Sequence, residues 1–265
     1  MAADFRPVSA LASAPSPMRR HRFVQITCLF STFAHTAATL ICVYTFREGG
    51  FVHFSPAKLM QFVPEHLFLW RSCCLLVMLS SFSTLIFILA MREVLEEKYR
   101  FIVGVAVCLS MIACCQDFSA ISRMMVLFAD ISLQGMINPS YMRQEIVLMG
   151  WPLINQSITE TFLLASFLYG MGGLCIALCL NKTNILPRNL AYAHLPVWSM
   201  MIISSILTFL GYLPVAIIFV FTANLAISVL SAFSGVAIDA VLRSPLARAP
   251  GEPKVTDDVE NSGFF

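Results

Sequence analysis

A chain of 265 residues in which 58% are hydrophobic and 12% charged lies far from the roughly 25% charged content of soluble domains. Its formal net charge of +2 is small and gathered near the ends of apolar runs, which argues against nucleic acid as a partner. Mean hydropathy is +0.79, and unbroken apolar runs of about 18 or more residues recur, so the expected class is an all-α polytopic membrane bundle rather than a β-barrel of alternating strands.

Residues 1–21, rich in Ala, Ser and Pro with Arg6, Arg19 and Arg20, read as a disordered N-terminal tail. The apolar run that follows is too long for the core of a signal peptide and opens a six-helix transmembrane domain over 22–243. Its spans are predicted at 22–46, 67–91, 100–130, 157–180, 192–211 and 214–242, with a disordered tail over 244–265. The first carries Gln25, Thr32, Thr36 and Thr39 along one side with His35 beside them, and the second carries Ser80, Ser81, Ser83 and Thr84. On the fourth, Ser166, Gly170, Gly173 and Ala177 form a small-residue stripe that lets another backbone approach. The sixth shows Asn224, Ser228, Ser231 and Gly235 on one face, then Asp239 and Arg243 at the i,i+4 spacing of a helix-end ion pair. These faces predict a bundle interior of hydroxyls and small side chains.

Twelve of the 17 Lys and Arg fall in the tails, in the connections 92–100 and 181–189, or at Arg22 and Arg243 where the first span begins and the last one ends, against five on the other side (Arg47, Lys58, Arg71, Arg123 and Arg143). The excess of cations marks the cytoplasmic side, which places both termini there, and an even number of spans agrees. The two long outer connections, 47–66 and 131–156, are unusually apolar and are expected to lie in the interface or to pack as a lid.

The third span holds the polar residues that demand an account. Asp117 lies just inside the outer surface of a hydrocarbon layer about 30 Å thick, and Gln116, Ser119, Arg123 and Asp130 fall on one helical stripe. Polar groups at that depth face other helices or a wet cavity, because facing lipid costs several kcal/mol. Arg71, Asp117, Arg123 and Glu160 are all within a turn or two of the same membrane surface, so two cations and two anions are placed to form a polar pocket for a small zwitterionic or anionic ligand. The bland alternative is a set of helix-end charges reaching for headgroups. His35 lies near mid-bilayer, where a neutral imidazole is expected to bond a hydroxyl from another span; His21, His53, His66 and His194 are placed at or beyond span ends, which leaves no matching haem ligand.

All nine cysteines lie within spans, no CxxC occurs, and they read as small hydrophobes. No GxxxxGK[ST], HExxH, GxGxxG or GxSxG stands in the chain, so no metal, cofactor or catalytic residue is assigned. The role expected is non-enzymatic binding of a small or lipidic ligand, or of a partner protein or second copy, through the outer polar layer. An intramembrane hydrolase-like enzyme using His35, His66, Asp117 or Glu160 is one alternative, and a small transporter or channel subunit is another.

Tyr169-Gly170-Met171-Gly172-Gly173-Leu174, followed by Asn181-Lys182-Thr183-Asn184-Ile185-Leu186-Pro187-Arg188-Asn189-Leu190-Ala191, resembles the hallmark of a family of bacterial six-span membrane proteins known only as a domain of unknown function. That family typically shows a Gly-Leu-rich fourth span, a short basic loop and a Leu-Ile/Val-Pro-Arg-Trp-Leu turn; Asn189 stands where it usually has Trp. The resemblance implies a six-span fold and a bacterial inner membrane, and no activity.

Overall fold

The computed structural model describes residues 17–49, 56–137 and 152–243, and every described element is helical. In chain order they are α1 (Pro17–Glu48), α2 (Pro56–Glu65), α3 (Leu67–Val94), a 3-10 turn (Glu97–Tyr99) and α4 (Arg100–Arg123). A π-helical turn (Met124–Phe128) carries α4 without a break into α5 (Ala129–Ile137). Residues 152–158 form α6, which passes through a second π turn (Thr159–Ala165) into α7 (Ser166–Leu180), followed by α8 (Arg188–Phe209) and α9 (Leu213–Arg243). Six rods are long and apolar enough to cross a membrane: Arg22–Glu48, Leu67–Val94, Glu97–Gln134, Pro152–Leu180, Arg188–Phe209 and Leu213–Val241. Most of the two predicted tails, 1–16 and 244–265, lies outside the described residues, as does the Arg243 side chain expected to pair with Asp239.

The outward faces are what a lipid solvent requires. Along α1, Ile26, Leu29, Phe33 and Leu40 are each about two-thirds exposed, a stripe too large and too apolar for water. Each rod packs on the next in chain order, and α9 packs back on α1, so the six close into a ring. The tightest connection fixes one of these pairs: α8 turns into α9 through Leu210, Gly211 and Tyr212, where Gly211 takes a φ of 82° that other residues resist.

Small residues set the closest approaches, as the stripe on the fourth span predicts. A Cβ on Gly173 would lie 1.9 Å from the Trp198 ring, and one on Gly170 would meet the Trp198 carbonyl and Ile202, so α7 and α8 are held at near-backbone contact. Gly172, on another face of α7, seats Ala106 and Ser110 of α4. At the ring's closing seam Gly235 of α9 abuts Cys28 of α1. There Ser31 bonds Ser231 across 3.2 Å, and the Thr36 and Ser228 hydroxyls meet at 2.7 Å. The predicted hydroxyl-lined interior is present.

At one end, α2 packs on α5 and α3, and its apolar face (Leu59, Phe62, Val63) is buried with Phe128, Ala129, Ile154 and Ile158. The described part of the long connections is therefore a lid over the helix ends; residues 50–55 and 138–151 lie outside the described ones. Two readings need correction. The stripe Gln116, Ser119, Arg123, Asp130 does not face inward: Ser119 and Asp130 are exposed, and the π turn after Arg123 shifts the register before Asp130. The buried face of α4 instead carries Val103, Ala106, Ser110, Ala113, Asp117 and Ala120. Likewise α8 begins at Arg188, four residues before the predicted start of the span, which moves His194 from the end of the helix into its buried interior.

Candidate functional site

Asp117 is turned into the bundle by the same α4 face that buries Ala113 and Ala120, and is 4% exposed. Its Oδ2 accepts a 2.6 Å hydrogen bond from the Ser81 hydroxyl of α3. Thr161, in the second π turn, stands beside the carboxylate as a second hydroxyl partner, but leaves Oδ1 without a well-aligned donor. The Tyr169 hydroxyl of α7 closes the group by donating to the Ser81 carbonyl at 3.2 Å. No ion pair among the described residues reaches Asp117.

Arg123 and Glu160 do find each other. They form an ion pair between α4 and the second π turn, with side chains 24% and 17% exposed. Arg123 also donates to the Ser119 hydroxyl at 2.8 Å, and Gln156 donates to Glu160 Oε1 at 2.9 Å. Asp117 is not part of this pair because six residues of helix leave it about 120° around the axis from Arg123 and about 9 Å along it. Arg71 joins neither group. Its neighbours Trp70, Cys73 and Cys74 hold the buried face of α3, which leaves Arg71 exposed. The four residues expected as one network are thus an ion pair, a hydroxyl-bonded carboxylate and a separate cation.

Both π turns border this region, and side chains from other helices cap their carbonyls. Trp70 donates its indole N–H to the Met124 carbonyl at 2.9 Å and packs its ring on Phe128. Ser205 of α8 donates to the Leu163 carbonyl at 2.6 Å. A widened turn leaves backbone groups out of the α-helical ladder, and these partners restore them.

Two adjoining cavities lie among these elements. One, of about 90 Å³ beneath the lid, is walled chiefly by apolar groups that include Phe46, Trp70, Phe162 and Phe221. The other, of about 50 Å³, is lined by Asp117, Ser80, Ser81, Thr84, Tyr169 and Trp198. Val77, Ser80, Thr161, Val220 and Asn224 line both. Trp198 is 1% exposed and its Nε1–H has no acceptor, while Asp117 Oδ1 has no well-aligned donor. Two complementary unanswered polar atoms thus belong to residues on the wall of one small cavity.

His35 is fully enclosed and bonds hydroxyls of another span, as expected: Nε2 meets Thr84 Oγ1 at 3.1 Å, while Nδ1 meets Ser83 Oγ at 3.0 Å and its own helix's Ser31 carbonyl at 3.1 Å. Because Thr84 also lines the smaller cavity, His35 and Asp117 are neighbours in one polar interior. The residue that sequence reasoning missed is His194, 1% exposed, with Nε2 3.2 Å from Ser234 Oγ and its ring stacked on Phe87. Pro187, a good helix starter, was the signal that could have placed the α8 boundary earlier. His66 stands exposed against Phe62.

Six cysteines are buried and Cys175 is half-buried, whereas Cys108 and Cys115 are exposed on the outward side of α4. The Cys42 and Cys73 sulfurs touch at 3.3 Å. Among the described residues, no three His, Cys, Asp or Glu gather in a way that could hold a metal ion. Compared with protein-family models, curated proteins and solved structures, the chain matches none of them.

Proposed function

We propose that this multi-pass membrane protein is a non-enzymatic binder of a small or lipidic ligand, held in its outer half with both termini in the cytoplasm. The observation that carries the reading is the pair of adjoining cavities, apolar beneath the lid and polar at Asp117 and Trp198. At about 90 Å³ the apolar chamber is smaller than the roughly 150 Å³ hydrocarbon cavity that accepts benzene. The occupant is therefore a short apolar body, or one end of a chain. A hydroxyl is the head group that suits both unanswered atoms, since it donates to Asp117 Oδ1 and accepts from Trp198 Nε1–H. An ammonium satisfies the carboxylate alone, and a carboxylate head meets like charge. The cation count supports the orientation. The likeness of residues 169–191 to the bacterial six-span family supports the inner membrane as its location.

The test is a titration of detergent-solubilised protein with n-pentanol, n-pentylamine and sodium pentanoate, read by melting temperature and tryptophan emission. Pentanol should raise the melting temperature most. Asp117→Ala, or Val77→Phe projecting into the chambers, should remove that rise. Equal responses to all three compounds, or none to any, would withdraw the reading.

A further inference from the structure

We propose that the polar chamber beside Asp117 is a binding site for a small monovalent cation, sodium, held between the carboxylate and the neutral oxygens around it. The site goes beyond the apolar ligand and stands on the oxygens of its wall, whatever fills the chamber beneath the lid. Where the hydroxyl protons go decides what that wall offers. Ser80 donates to the Val77 carbonyl at 2.8 Å, and Ser81 to Asp117 Oδ2 at 2.6 Å. Thr84 donates to the Ser80 carbonyl at 3.1 Å, Ser166 to the Thr161 carbonyl at 3.1 Å, and Tyr169 to the Ser81 carbonyl at 3.2 Å. Thr161 gives its own proton to the Asp117 carboxylate. Each hydroxyl residue on this wall has thus committed its one proton, and what its oxygen still offers is a lone pair. Ionised, the 4%-exposed carboxylate is an acceptor only, and its Oδ1 lacks a well-aligned donor. Half-buried Asn224 adds an amide oxygen to the same lining.

A hollow rich in lone pairs, with one negative charge on its wall, suits a cation. A carboxylate taken out of water is costly unless it is paired or holds a metal ion, and no ion pair among the described residues reaches Asp117. One carboxylate balances one positive charge. Magnesium gives up its waters reluctantly, and calcium takes about six to eight oxygens, so a hollow of about 50 Å³ with a single carboxylate suits neither. Sodium asks for oxygens alone, as in transporters that hold it with backbone carbonyls, and does not need the clustered His, Cys, Asp or Glu that the described residues lack. The same hollow exceeds the roughly 10–15 Å³ that a water needs, so one water fits beside the ion. That water accepts from Trp198 Nε1–H, which has no other acceptor, and gives its second lone pair to sodium. An alcohol hydroxyl has the same two lone pairs, so the ligand's head group takes the place of that water and leaves the ion where it is. The oxygens come from α3, α4, the second π turn, α7 and α9, so the ion braces five elements at once.

The experiment uses the full chain, purified in detergent in choline chloride with no alcohol present, so its outcome is independent of the pentanol titration. Binding of radioactive sodium is measured directly, and melting temperature is followed as sodium chloride replaces choline chloride at constant ionic strength. The native protein should hold a single saturable sodium per chain, and its melting temperature should rise with sodium. Unlabelled sodium should displace the label, and magnesium should not. Asp117→Asn should abolish saturable binding, and Ser81→Ala should weaken it several-fold. Thr36→Val, which removes a hydroxyl bonded to Ser228 away from the chamber, should leave it unchanged. A native protein without saturable binding, whose carboxyl then stays protonated instead, overturns the proposal even if every variant misfolds. Magnesium displacing the label as readily as sodium overturns it too, as does either chamber variant that elutes as the native protein does and binds sodium as tightly.

Discussion

Gly173 and Gly104 are both helical glycines, and their surroundings make opposite predictions. A methyl on Gly173 would strike the Trp198 ring, and the tight α7–α8 contact has no slack to absorb it. Gly173→Ala should cost about 1–3 kcal/mol, read as a lower melting temperature in detergent. Gly104 has nothing within 4 Å of a would-be Cβ, so Gly104→Ala should stabilise the protein by up to about 1 kcal/mol through the helix backbone alone. Similar reasoning separates the polar residues by how far the sequence reveals them. Asp117 was legible because a carboxylate in an apolar run must be turned inward, and so was His35. The partners were not, since Ser81 and Thr84 are two of four hydroxyls in the same stretch and only packing chooses between them. His194 escaped because burial near a helix end depends on where the helix starts, and four residues decided it.

At the next scale, the two π turns are the elements that the sequence conceals. Neither Met124–Phe128 nor Thr159–Ala165 contains Pro or Gly, so nothing in the residue pattern marks a widened turn. They are held by tertiary contacts, which predicts where they are weak. Ser205→Ala removes the 2.6 Å bond to the Leu163 carbonyl and should destabilise the protein by about 1–2 kcal/mol, with faster amide exchange over 159–165. The Arg123–Glu160 pair ties the end of one rod to the second π turn. Arg123→Gln or Glu160→Gln alone leaves a partly buried charge without its partner, whereas both together do not. A double-mutant cycle of melting temperatures should therefore show the pair of changes costing less than the sum, with a coupling of about 1–3 kcal/mol. The lid helix was foreseeable as an apolar connection, but its docking on α5 required both segments to be placed.

For the whole molecule, span number followed directly from composition, because lipid leaves a backbone no alternative to closed helices or barrels. The ring order was half-visible: the hydroxyl faces of the first and last spans are mutual partners, yet periodicity alone does not say that they meet. Orientation rests on the distribution of Lys and Arg. A membrane-impermeant maleimide applied to intact cells should label a cysteine placed at Gln61 and spare one at Lys98, both exposed positions at opposite ends of the bundle. The reverse pattern would invert the layout. The seam between α1 and α9 also bears on how the protein is made. Thr32, Thr36 and Ser31 of the first rod bond residues of the sixth, which the ribosome makes after the other five. Until then the nascent chain holds an open edge in the bilayer, its hydroxyls turned on their own backbone, as Thr32 and Thr36 already do toward Cys28 and Thr32. Assembly is thus a clasp that fastens only once the sixth rod has emerged, and a product cut short before residue 213 leaves quality control an unfastened ring of five rods to find.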